Sequence, residues 1–281
     1  MQKYDENSLM SMSRLLKSKP YNESVYTFLY NLNDLTLKIF EALEKPSTRF
    51  TFKFFGSFDR GGVVSEQEYI NIALIINDPE VSQKVIDIEK TAKTKKQRKK
   101  QGIIEQIKML FILSLEQYFY HKATISMSNN CIVVNALGVI GLNFNLYVFT
   151  HKLNSEITTN FASGLPRTFS LKNYALNYQK KNEETNGSFE KVCNILNFLA
   201  TEYNVCYDTL LIETIMYNLP NELFSGFLNE QLFNVLNYYK INQPKDIKAM
   251  DTNSLINSSS IFYDYVYTHN KIFNQIFELF E

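Results

Sequence analysis

The hydrophobic positions of this chain follow two rhythms. From Asn22 onward, Val25, Phe28, Leu29, Leu32, Leu35, Ile39, Phe40 and Leu43 recur at steps of three and four, the spacing of one helical face. Pro20 keeps the preceding chain out of that helix, Asn22 can cap it, and Lys45-Pro46 ends it. From Arg49 to Phe55 the step shortens to two, with Phe50, Phe52 and Phe54 on one side, which predicts a strand ending at Gly56-Ser57. A second strand is predicted over Tyr69–Ile76. It buries Ile70, Ile72, Leu74 and Ile76, turns Tyr69 and Asn71 to the opposite face, and is closed by Asn77-Asp78-Pro79. An amphipathic helix follows over Ile103–Tyr120. Further strands are predicted at Ala123–Met127 or Cys131–Ala136, then at Val139–Phe149, with Gly138 and Gly141 marking a turn and a bulge. In the last of these Leu142, Phe144, Leu146 and Val148 face one way, and Asn143, Asn145 and Tyr147 the other.

After about Leu153 the strand signals stop. Helices are predicted over Ser188–Tyr203, Tyr207–Leu219, Glu222–Tyr239 and Ser259–Phe280, with polar loops at Gln179–Gly187 and Ile241–Ser258. No internal repeat is visible. The expected architecture is α+β: a mixed-sheet half over residues 1–155, whose first helix could also pack on the second half, then a helical half over 156–281, with a cleft between them.

Composition narrows the class. The chain has 281 residues, ample for a real core, and its 45% apolar content argues against global disorder. The 29 basic and 29 acidic residues cancel, which gives no overall pull toward nucleic acid or membrane. The cancellation is uneven, however. Lys90–Lys100, KTAKTKKQRKK, holds seven basic residues and no acid, so the remainder is acidic. Cys131, Cys193 and Cys206 form no CxxC pair, and three thiols cannot all pair within one chain, so a reducing compartment is expected. His121, His151 and His269 lie too far apart to read as a zinc site. The first twenty residues lack the apolar stretch of a signal peptide, and no apolar run reaches the ~20 residues of a membrane span. A soluble cytoplasmic protein without a membrane partner is the expectation. No Walker-type loop, dinucleotide fingerprint or Ser-His-Asp arrangement is present.

Five stretches carry a resemblance: FFGSFDRGG at Phe54–Gly62, YINIALII at Tyr69–Ile76, IGLNFNLYVF at Ile140–Phe149, FEKVCNILNFLATEYN at Phe189–Asn204 and CYDTLLIETIMYN at Cys206–Asn218. In this order they resemble the polymerase-β-type nucleotidyltransferases, in particular the branch of CD-NTases, oligoadenylate synthetases and poly(A) polymerases. The resemblance implies an N-terminal nucleotidyltransferase domain followed by a helical domain. It further implies a Gly-Ser turn that offers backbone N–H groups and a hydroxyl to nucleotide phosphates, and two or three carboxylates holding two Mg²⁺ ions. Gly56 and Ser57 match the turn. The positions matching the three acids hold Tyr69, Asn71 and Asn145, and the position of the lysine that reaches the triphosphate holds Asn197.

The expected function is therefore a degenerate nucleotidyltransferase that binds a nucleotide or RNA, or serves as an interaction module, with no cofactor. Gly56, Ser57, Arg60 and Asn197 are its candidate nucleotide-binding residues, although Arg60, like Asp59, also reads as a solvent-facing loop residue. Lys93, Lys95, Lys96, Arg98, Lys99 and Lys100 are candidate contacts to a nucleic-acid backbone, or a solvated loop. One alternative is an active Mg²⁺-dependent enzyme whose displaced acids are Glu66 and Glu68, in the S-E-Q-E run one step earlier. It transfers a nucleoside monophosphate to RNA, protein or another nucleotide. Periodicity opposes it, since it puts Gln67 where an inward apolar residue belongs. A second alternative is a pure protein-interaction scaffold.

Overall fold

The computed structural model describes residues 4–15, 19–63, 65–91, 102–128, 130–152, 155–159, 166–205, 209–242, 246–252, 255–256, 260–261 and 269–278. The chain folds as two compact units. One, the sheet unit, comprises Lys17–Phe55 and Tyr69–Phe169; the other, the helical unit, comprises Met1–Leu16, Gly56–Glu68 and Ser170–Glu281.

The sheet unit opens with the long helix α2, Lys19–Ala42, the short helix α1, Glu6–Met12, belonging to the other unit. Strands β1, Phe50–Phe55, and β2, Tyr69–Ile76, follow, then helices α3, Pro79–Thr91, and α4, Ile103–Tyr118. Both β3, Thr124–Met127, and β4, Cys131–Ala136, are strands. A single helical turn at Leu137–Ile140, ended by Gly141 at φ 74°, replaces the start of the strand expected from Val139. Strand β5 runs from Leu142 to Lys152. The order β1-β2-β5-β4-β3 is antiparallel except for the central β2–β5 pair, which is parallel.

Two more strands, β6 at Ser155–Thr159 and β7 at Pro166–Phe169, lie beyond the point where strand signals fade. β6 pairs with β5 from Thr150 to Lys152, on the edge away from β2, and β7 pairs with β6. Their polar residues hide the alternation that would have revealed them.

Parallel register sets residues of β2 and β5 side by side on one face. Ile70, Ile72 and Leu74 adjoin Phe144, Leu146 and Val148, and the ring of Phe28 in α2 packs tilted against Phe144 with centroids 4.5 Å apart. Burial on one face only was expected, yet all eight residues of β2 are buried, as a central parallel strand requires. On the second face Tyr147 and Phe149 join Phe55 and Phe169 in an aromatic cluster with ring separations of 5.1–6.4 Å. Tyr69, Asn71, Asn143 and Asn145 occupy the same face nearer the start of both strands.

In the helical unit, α5 spans Leu171–Glu184, capped by Ser170, whose hydroxyl accepts from the Asn173 N–H at 3.3 Å. Most of the polar loop expected over Gln179–Gly187 is thus the end of a helix. Next come α6, Ser188–Glu202, α7, Thr209–Tyr217, and a 3₁₀ turn at Asn221–Phe224. Helices α8, Leu228–Asn242, and α9, His269–Glu278, complete the unit. α7 is buried from Thr209 to Met216, with Glu213 at its centre fully inaccessible.

Candidate functional site

In the sheet unit, Asn71 on β2 and Asn145 on β5 are register partners. Both are buried, and the Asn145 Nδ2 donates to Asn71 Oδ1 at 3.1 Å. Tyr69 is buried beside Asn143, whose Oδ1 accepts from the backbone N–H groups of Ala136 and Leu137 at 3.2 Å. The three positions that the resemblance assigns to acids therefore do converge on one face of two adjacent strands. They do not fit the implied Mg²⁺. Mg²⁺ demands hard, anionic oxygens, whereas this set is a phenol and two neutral amides, with Asn71 Oδ1 already accepting a hydrogen bond.

In the helical unit, the segment Gly56–Glu68 is held by bonds within itself and by Ser65 and Arg60, which reach helices outside it. Gly56 takes φ 82° and Gly61 φ 107°, left-handed values that glycine adopts without a Cβ penalty. Tight turns follow Ser57: Arg60 N–H donates to the Ser57 carbonyl at 3.1 Å and Gly61 N–H to the Phe58 carbonyl at 3.0 Å. The buried Ser57 hydroxyl donates to Glu68, also buried. Ser65 donates to Glu202 at the end of α6. Glu66 is exposed. The two glutamates of the displaced-acid reading thus have opposite environments, and Glu68 is engaged by the residue expected to greet a phosphate.

Arg60 keeps 18% of its side chain accessible, and its guanidinium turns to Glu213. Its guanidinium donates twice to Glu213, one contact at 3.3 Å, and lies 3.9 Å from the ring centroid of Tyr178. Glu190 stands 3.8 Å from its Nε. Glu213 also accepts from the Tyr174 hydroxyl and, at 3.5 Å, from Asn197 Nδ2. Burial works against the Arg60 charge, but the Glu213 carboxylate outweighs it and holds the guanidinium well above its usual range. Burial first, and Glu213 second, push the Tyr174 phenol and the Cys193 thiol well above theirs. Asn197, the residue at the triphosphate-lysine position, is buried in this cluster. Lys93, Lys95, Lys96, Arg98, Lys99 and Lys100 lie outside the described residues. Among the described residues no group of three or more His, Cys, Asp or Glu could hold a metal ion.

Sequence reasoning missed Glu213. The available signal was a lone acid inside the apolar stretch TLLIETIMY, which a buried helix tolerates only with a partner.

The fold is the one seen in solved cyclic dinucleotide synthases. The chain is similar in structure to the CdnE cyclic dinucleotide synthase of Elizabethkingia meningoseptica, solved with GTP and Apcpp, at TM-score 0.57 and 17% identity over 98% of this chain and 99% of that one. It is similar to the Rhodothermus marinus CdnE c-UMP-AMP synthase, solved with Apcpp and Upnpp, at TM-score 0.56 and 11% identity over 99% and 96%. Escherichia coli DncV in its 3'-deoxy GTP bound form gives TM-score 0.56 and 8% identity over 95% and 80%. No protein-family model matches the chain, and no curated protein matches it in sequence.

Proposed function

We propose that this chain is a nucleotidyltransferase-fold protein with a degenerate catalytic site, working as a nucleotide-binding module that needs no divalent metal. The observation that carries this reading is the buried Asn71–Asn145 amide pair at 3.1 Å, at positions where the resemblance calls for carboxylates. Each missing anion removes an attraction of about 4 kcal/mol per unit charge at ~4 Å and an effective dielectric of ~20. Two neutral amides also no longer repel a metal-free polyphosphate. The structural relatives solved with GTP, Apcpp and Upnpp support a nucleotide as the ligand class. The Gly56-Ser57 turn is the proposed phosphate contact, and the basic run through Lys100 the proposed contact for a nucleic-acid backbone.

Calorimetric titration with ATP and GTP, in EDTA and then in Mg²⁺, tests the reading. Binding in EDTA that Mg²⁺ leaves unchanged or weakens is expected, with no pyrophosphate release. Tight binding only with Mg²⁺, accompanied by pyrophosphate, would establish the active enzyme with displaced acids. No binding under either condition would favour the interaction scaffold.

A further inference from the structure

We propose that Glu213 is a positioning residue that sets the conformation of the Gly56–Gly62 loop by holding Arg60, and through it sets the affinity for phosphate-bearing ligands. The second half of this rests on the nucleotide-binding reading above; the first half does not. Within the loop, Arg60 N–H donates to the Gly56 and Ser57 carbonyls at 3.4 and 3.1 Å, Gly61 N–H to Phe58 at 3.0 Å and Gly62 N–H to Ser57 at 3.4 Å, and Gly56 and Gly61 both adopt glycine-favoured angles. These four backbone bonds are all local. Arg60 gives the loop a long-range anchor, bridging 153 positions to α7. The anchor is rigid, because a planar guanidinium engages a carboxylate through two parallel bonds and its other face lies on the Tyr178 ring. Glu213 is itself held by Tyr174 of α5 and Asn197 of α6. One inaccessible carboxylate therefore joins three helices to the loop. Arg60 spent in this way is not a phosphate ligand, and its contribution to a ligand passes through the shape of the turn.

Amide hydrogen exchange on Glu213→Gln, Arg60→Lys and Tyr174→Phe tests the assignment. Gln keeps the shape and loses the charge; Lys keeps the charge and loses the fork. Both should speed exchange at residues 56–62 by about tenfold or more, the loss expected for a charge-assisted hydrogen bond. Tyr174→Phe removes a Glu213 donor without touching Arg60. It should lower the melting temperature and leave loop exchange near wild type. Loop protection unchanged in folded Glu213→Gln and Arg60→Lys, or lost equally in Tyr174→Phe, would overturn the proposal. If Glu213→Gln does not fold, Arg60→Lys decides alone. In EDTA, ATP affinity should fall about tenfold in the two loop-freeing variants; unchanged affinity with a freed loop would sink the ligand half. A wild-type protein that takes up no ATP would overturn the nucleotide reading, and the exchange data would still judge the tether.

Discussion

At the acid positions that the resemblance assigns, a change from carboxylate to amide alters both charge and hydrogen-bonding sense, and here Asn145 Nδ2 donates to Asn71 Oδ1. Reversing it makes a sharp test. In Asn71→Asp/Asn145→Asp, two like charges would sit side by side in a buried site, which costs several kcal/mol at neutral pH. The double variant should melt well below wild type, and Mg²⁺ should recover part of the loss; an equal melting temperature with and without Mg²⁺ would count against a latent metal geometry. Arg60 offers a second test. Arg60→Ala strands Glu213 as a buried charge, and breaking a buried pair from one side costs about 3–5 kcal/mol, readable in urea unfolding. Lys108 of α4 offers a third. It is wholly buried, and burial opposes its charge more strongly than Glu105 and Cys131 support it, so its ammonium titrates at about 8. The unfolded chain keeps that proton to about pH 10.4. Between roughly pH 8 and 10 the unfolded state holds more protons, so stability rises with pH across that window. Beyond it Tyr174 and Tyr178, raised by burial, act in the opposite sense. Thermal melts of Lys108→Met should show a flattened rise between about pH 8 and 10 and a gain at pH 7.

At the scale of elements, legibility followed periodicity. β2 was readable to the residue, because YINIALII alternates cleanly and is bounded by polar turns. The burial of its polar face was not readable, since parallel pairing with β5 across more than sixty positions leaves no local mark. Helix α5 was obscured because its inward stripe is Leu171, Tyr174, Tyr178 and Lys181, which composition alone scores as polar. β6, SEITT, fails the apolar test altogether. Tyr69, Asn71 and Asn145 were singled out through the family resemblance, and the alternation along each strand is consistent with their sharing one face. The Arg60–Glu213 pair was not found, because no spacing rule links a loop to a helix 153 residues away.

Taken whole, the chain has the fold of cyclic dinucleotide synthases solved with nucleotides, and it carries Tyr69, Asn71 and Asn145 at the positions that the resemblance assigns to acids. Among the described residues no helix is long and apolar enough to cross a membrane. The helical unit gathers residues from both ends of the chain. Asn194 Nδ2 donates to the Ser13 carbonyl at 2.8 Å, and Glu6 of α1 accepts from the Leu228 and Asn229 N–H groups at 3.0 and 3.2 Å. These are the first donors of α8, and a carboxylate there satisfies them and opposes the helix dipole. Glu6→Ala should cost about 1 kcal/mol, as the loss of a cap does elsewhere, measured by chemical denaturation.

That borrowed cap has a practical corollary for anyone shortening the protein. Cutting away the opening dozen residues, which look dispensable on paper, unhooks a helix whose start lies 222 positions downstream. The injury would surface at the start of α8, in the same helical unit.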